Sequence, residues 1–151
     1  MESMLLRGAI TVKVDDKGRL KLPSPLKERL ADRYRGERLF VTSLTGDKVF
    51  IYPLSEWEKI EERIAQVPQF DKLRNKFEDA IAYYGAEATV DDQGRMLLPA
   101  KLRDSAAMTG DVTLVWKLNR IEVRSAVRYV ADVQGNPFTE EDMEGLSKWG
   151  V

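Results

Sequence analysis

Ile10, Val12 and Val14 alternate with Thr11, Lys13 and Asp15, the period of a strand that turns one face to a core. Asp15-Asp16-Lys17-Gly18 follows as a tight turn. An aspartate there can accept local backbone N–H groups, and a glycine suits the position that needs positive φ. Leu20 and Leu22 then alternate with Arg19 and Lys21, so a second short strand returns with its cations outward. Pro23 ends this strand, and Ser24 with Pro25 starts a short helix. Leu39-Phe40-Val41-Thr42 and Val49-Phe50-Ile51-Tyr52 flank the turn Thr45-Gly46-Asp47-Lys48, which predicts a hairpin. Ser55-Glu56-Trp57-Glu58 has the spacing of a capping box, and Trp57, Ile60, Ile64 and Val67 share one helical face. Pro68 breaks that helix. A second starts near Phe70 or Asp71, carries Leu73, Phe77, Ala80, Ile81 and Tyr84 on one face, and reaches Gly85, which is placed to end it. These two helices have an apolar face to pack on the body or on a neighbouring subunit.

The pattern then starts again. Val14-Asp15-Asp16-Lys17-Gly18-Arg19-Leu20-Lys21-Leu22-Pro23 reappears as Val90-Asp91-Asp92-Gln93-Gly94-Arg95-Met96-Leu97-Leu98-Pro99, with seven of ten positions identical. Ala88 and Val90 precede the second box, and Lys101-Leu102-Arg103-Asp104 follows as a helix with a weaker start. Val112-Thr113-Leu114-Val115-Trp116 and Ile121-Glu122-Val123-Arg124 flank Lys117-Leu118-Asn119-Arg120 as the second hairpin, and Ser125 begins a helix. Self-similarity of this kind sets the architecture. It gives a strand-rich α+β chain with one repeat over residues 7–58, helices over 59–84, a second repeat over 85–133 and an acidic tail over 134–151. In that tail Thr139-Glu140-Glu141-Asp142 could start a short helix, and the last ten or so residues are expected to be poorly ordered.

Composition narrows the chemistry. The chain has 151 residues, 43% hydrophobic and 32% charged, with no run of the roughly 20 apolar residues that a membrane span needs. The N-terminus carries an acid too early for a secretory signal, so the cytoplasm is the expected compartment. There is no cysteine and no histidine, which removes disulfides, thiolate nucleophiles and the side chain best suited to proton transfer near neutral pH. Asp15-Asp16 and Asp91-Asp92 could in principle gather a metal for hydrolysis, yet each pair sits beside an arginine in a turn, where structural use is expected. The chain is expected not to be an enzyme, and no cofactor is expected. The net charge is −1, but residues 7–38 hold ten Lys/Arg against five Asp/Glu, and the stretch after Ala131 holds five acids and one lysine. That distribution marks an anion-binding face near the N-terminus.

The first box predicts a two-stranded ribbon with Lys13, Arg19 and Lys21 on its outward face and Lys17 at its tip. A ribbon can enter the major groove of DNA, an arginine can fork onto guanine or phosphate, and lysines can contact phosphates. Asp15 stands where it could orient the Arg19 guanidinium. In the second box Lys13 becomes Thr89, Lys17 becomes Gln93 and Lys21 becomes Leu97, while Asp91 and Arg95 are retained. The first box should therefore supply most of the electrostatic affinity. The second either makes a directed contact through Arg95 or serves packing alone.

Paired Asp-x-x-Gly-Arg boxes with a following Leu-Pro, the Arg7-Gly8-Ala9 lead-in and the Tyr52-Pro53-Leu54…Glu56-Trp57 segment resemble the MraZ family over residues 7–133. The resemblance implies a pseudo-twofold barrel of two tandem SpoVT/AbrB-like swapped-hairpin repeats with linker helices. It implies a nucleoid-associated transcriptional regulator that binds short repeated boxes in double-stranded DNA, at the promoter of the bacterial division and cell-wall gene cluster. It carries the family's Asp-x-x-x-Arg motif onto Asp15 and Arg19, and onto Asp91 and Arg95. It also implies assembly into a ring. No membrane and no small-molecule substrate are expected. An antitoxin-like protein-interaction module of the same barrel superfamily is the alternative. Residues 1–6 extend ahead of the resemblance.

Overall fold

The computed structural model describes residues 7–151, so the short extension over 1–6 lies outside it. The first half of the chain runs β1 (Ala9–Val14), β2 (Arg19–Lys21), α1 (Ser24–Tyr34), β3 (Leu39–Thr42), β4 (Val49–Pro53) and α2 (Leu54–Ile64), the last of which begins the linker helices. Helix α3 (Lys72–Tyr84) leads into the second: β5 (Ala86–Ala88), β6 (Arg95–Leu97), α4 (Ala100–Ser105), β7 (Gly110–Trp116), β8 (Ile121–Ser125) and α5 (Ala126–Gly135). Helix α6 (Glu140–Ser147) follows.

All eight strands join one antiparallel sheet in the order β5-β3-β4-β8-β7-β1-β2-β6. The order shows a swap. β1 of the first repeat pairs with β7 of the second, and β5 of the second pairs with β3 of the first. Like strands of the two repeats meet at β4–β8 and at β2–β6, where the pseudo-twofold axis passes. The sheet thus curls into the expected strand-rich barrel, nearly closed. At its seam, where β5 and β6 come last in the order, an open hollow of about 450 Å³ is lined by Ala88, Thr89, Leu97 and Pro99 among others. The barrel is filled from both repeats by Leu20, Leu22, Val41, Ile51, Met96, Leu98, Leu114 and Ile121. Neither repeat carries enough strands to bury these side chains alone, which is why the halves interlock.

A second apolar cluster lies outside the barrel. Phe50, Tyr52 and Trp57 are buried there, with Phe40, Ile60, Phe77 and Ile81 packed against them. The linker helices therefore pack on the body, but only in part: Phe77 and Ile81 of α3 take part, while Leu73 is 77% exposed.

Several local expectations change. Ile10 lies opposite the buried Leu114 yet stays 41% exposed at the start of β1. Helix α1 begins at Ser24 itself, with Pro23 at the cap position and no side-chain cap. Ser55 does not cap α2 either, because the cap position falls on Pro53. The Glu37 carboxylate takes over that role, accepting from the Ser55 hydroxyl at 2.6 Å and the Ser55 amide at 3.3 Å, an anion at a helix N-terminus. Gly85 ends α3 in an extended conformation, not a left-handed one. Its missing side chain allows close approach, since a Cβ would lie 2.5 Å from the Ile81 carbonyl oxygen and 2.7 Å from the Phe40 ring. In the tail, Thr139 and Asp142 form a reciprocal capping box, so α6 is a helix to Ser147 where the end was expected to lack order.

Candidate nucleic-acid interface

Each box folds into the same turn. In the first, the Gly18 amide donates to the Asp15 carbonyl at 3.0 Å and the Asp15 amide to the Arg19 carbonyl at 3.0 Å. Asp15 Oδ1 accepts the amides of Lys17 (3.0 Å) and Arg19 (2.9 Å), and Oδ2 accepts from Arg19 Nε at 2.7 Å. In the second, Asp91 Oδ1 accepts the amides of Gln93 and Arg95, both at 2.9 Å, and Oδ2 accepts from Arg95 Nε at 3.0 Å. Gly18 and Gly94 sit at φ of +79° and +78°, as the sequence requires. The Arg19 amide is the strongest influence holding the Asp15 carboxyl below its ordinary range, followed by the Arg19 guanidinium and the Lys17 amide. The amide and guanidinium of Arg95 do the same for Asp91. Both carboxylates thus stay ionised and keep their arginines aimed.

The aim leaves the business end of each arginine open. Both pairings run through Nε, and the terminal nitrogens of Arg19 and Arg95 carry no hydrogen bond to any described residue. The two side chains are 29% and 28% exposed, so the copies are equivalent in presentation. A fixed guanidinium with two free N–H edges is the form that grips a guanine edge or a phosphate in bidentate fashion.

The ribbon differs from the one the sequence predicts. β1 and β2 share only the register pair Val14↔Leu20, and the longer partner of β2 is β6 of the other repeat. There Arg19 faces Leu97, Leu20 faces Met96 and Lys21 faces Arg95. Leu20 and Met96 are buried on the inner side, so Arg19, Lys21, Arg95 and Leu97 share the outer one. The structure therefore joins both boxes in one surface and places Arg95 beside Lys21. Lys13 alternates with the buried Val14 and faces the same way, but its ladder neighbour on β7 is Asp111. Lys17 sits exposed at the tip of its turn.

Two positioning cations were missed. Arg103 Nη1 of α4 donates to the Lys17 carbonyl at 3.1 Å, and Lys27 Nζ of α1 donates to the Asp92 carbonyl at 3.0 Å. Each turn is braced by the helix that follows the other. Lys27 and Arg103 stand at the same offset from Pro23 and Pro99, a signal present in the repeat. The ladder is reciprocal too: the Leu22 amide donates to the Gly94 carbonyl at 2.8 Å and the Leu98 amide to the Gly18 carbonyl at 3.0 Å. Among the described residues no group of three or more acidic side chains is placed to hold a metal, so the aspartate pairs form no metal cluster there.

The family model described as MraZ protein, with an antitoxin-like qualifier, matches residues 5–80 and 84–146, one box in each segment. The chain belongs to the MraZ family. A protein of Acidobacterium capsulatum named Transcriptional regulator MraZ is 42% identical over 147 residues, covering 97% of this chain and all of that one. A Koribacter versatilis protein of the same name is 35% identical over 147 residues, with the same coverage of both. The MraZ relative from Tolumonas auensis is 30% identical over 142 residues, 94% of this chain and 90% of its own length. These MraZ relatives are named as regulators and not as enzymes. No helix among the described residues is long and apolar enough to cross a membrane.

Proposed function

We propose that this chain is a sequence-specific DNA-binding transcriptional regulator that reads duplex DNA with the outer face of β2 and β6. The observation that carries this reading is the pair of guanidinium groups, each held at Nε by its own aspartate and, among the described residues, unbonded at both terminal nitrogens, on one surface with Lys21. Arg19 and Arg95 would fork onto guanine edges or phosphates, Lys13, Lys17 and Lys21 would contact phosphates, and Asp15 and Asp91 would orient the arginines. The names of the relatives support regulation of transcription as the outcome. The family resemblance supplies the target, the promoter of the division and cell-wall gene cluster, and the setting, a nucleoid-associated protein of the cytoplasm. It also supplies a ring, in which many copies of this face would engage repeated boxes together.

The test is binding to promoter DNA from the protein's own genomic neighbourhood at two salt concentrations. Arg19→Ala and Arg95→Ala should each lose roughly 5- to 150-fold in specific affinity, the range for one bidentate base contact, with the fold intact by circular dichroism. A double variant that binds this promoter normally would refute the assignment. The antitoxin-like qualifier of the family model favours a second reading, a protein-binding module. Recovery of a stoichiometric protein partner, with no sequence-specific DNA binding, would establish it instead.

A further inference from the structure

The outer face of β2 and β6 is symmetric in its arginines and the aspartates that hold them, and asymmetric at the exposed positions that flank them. The pseudo-twofold axis relates Arg19 to Arg95 and Lys21 to Leu97, because Leu20 and Met96 face each other on it. One flank carries Lys13 and Lys21. The other carries Thr89 and Leu97 at the equivalent positions, both lining the seam hollow. Leu97 is 56% exposed, and the neighbouring Leu98 fills the core position, so barrel packing does not account for a leucine there. A leucine directly opposite an aimed arginine places an apolar group about 5 Å from that arginine's Cβ. That spacing is of the order of one base step along duplex DNA, about 3.4 Å. In the major groove the apolar group that identifies a base is the thymine methyl, and apolar side-chain groups contact it.

We infer that Leu97, with Thr89 lining the same hollow, reads a thymine methyl next to the guanine taken by Arg19, and so gives the subunit a fixed polarity on its DNA. The inference rests on the DNA-binding reading above. The Leu97 flank selects thymine, while the Lys13 and Lys21 flank holds phosphate. The preferred box is therefore asymmetric although the two turns are alike.

The experiment uses a duplex selected by the full-length protein from a random-sequence library. It is then synthesised with each thymine replaced in turn by deoxyuridine, which removes the methyl and leaves the pairing. At one or two positions the wild type should bind the uracil duplex about fourfold more weakly, the worth of one buried methyl group. Leu97→Ala should lose this discrimination while keeping the salt dependence. Leu97→Met, which retains apolar reach, and Lys21→Ala should both keep the thymine–uracil discrimination. Specific binding with no thymine–uracil difference at any position overturns this inference and leaves the DNA-binding reading standing. So does full discrimination by Leu97→Ala. Selection of no sequence at all by the wild type refutes both.

Discussion

The two box glycines allow the brace between repeats to be weighed. Gly18 and Gly94 have matching φ values of +79° and +78°, so alanine meets the same backbone strain at either. The left-handed penalty, less the entropy removed from the unfolded chain, comes to about 1 kcal/mol at each site. Their surroundings differ. A Cβ at Gly94 would meet the Leu22 carbonyl oxygen and Lys27 Cδ at 3.6 Å, an ordinary contact. A Cβ at Gly18 would lie 2.2 Å from Arg103 Cδ and 2.4 Å from Arg103 Nη1, so the arginine must leave. Its 3.1 Å bond to the Lys17 carbonyl goes with it, at a further cost of about 1 kcal/mol. Gly18→Ala should therefore be about 1 kcal/mol less stable than Gly94→Ala, a difference of roughly 3 °C in Tm for a chain of this size. The assay is urea unfolding of both variants, alone and with Arg103→Ala. Once Arg103 is truncated there is no clash and no bond left to lose, so the added cost of Gly18→Ala should fall to that of Gly94→Ala. Equal stability of the two glycine variants, or strict additivity of Gly18→Ala with Arg103→Ala, would refute the brace.

Three further outcomes follow from the same geometry. Lys13→Ala and Lys21→Ala should each flatten the dependence of log affinity on log salt by about one unit, measured by titration at several salt concentrations. Asp15→Asn keeps an oxygen for the Lys17 and Arg19 amides but puts an NH2 group against Arg19 Nε. The turn should persist by circular dichroism, and specific DNA affinity should fall between those of wild type and Arg19→Ala. Burial alone would raise the Glu122 carboxyl, but the Arg124 hydrogen bond and the charges of Lys117, Arg120 and Lys48 outweigh it and hold the group below its usual 4.5. A lowered folded value contributes stability in full above pH 4.5 and loses it as pH falls through the folded value. Glu122→Gln should thus cost about 2 kcal/mol near neutral pH, from weakened bonds to Arg120 and Arg124, and progressively less as pH falls below 4.5 in thermal unfolding.

Local pattern carried the elements well and their partners poorly. The hairpins β3–β4 and β7–β8 are legible because alternation, a turn and a second alternation lie within one short stretch. The Asp15–Arg19 pairing is legible because five residues close on themselves. The β2–β6 ladder is not, since each strand has three residues and its partner stands more than seventy positions away. Two cap positions differ for a related reason: Ser24 and Ser55 have the right chemistry, but Pro23 and Pro53 take the cap positions and start those helices one and two residues early. Leu97 was legible as outward by alternation. Its meaning needed Arg19 across the ladder, which only the fold supplies.

The repeat now divides by position. The residues identical between boxes form the turn (Asp15, Asp16, Gly18, Arg19), support the barrel from within (Val14, Leu22) or stand at the cap of the next helix (Pro23), and each has its counterpart across the axis. Leu20 and Met96 differ, yet they are buried, similar in volume and opposite each other, so the exchange costs the core little. The remaining differences, Lys17/Gln93 and Lys21/Leu97, are exposed. Scaffold positions are constrained twice, because each turn is paired and braced by the other repeat. Outward positions are constrained only by what they touch. A dimer of two identical hairpins would carry the same side chain at both flanking positions and could present only a symmetric face. Joining both hairpins in one chain removes that restriction, and Lys21 opposite one arginine with Leu97 opposite the other is the asymmetry it permits.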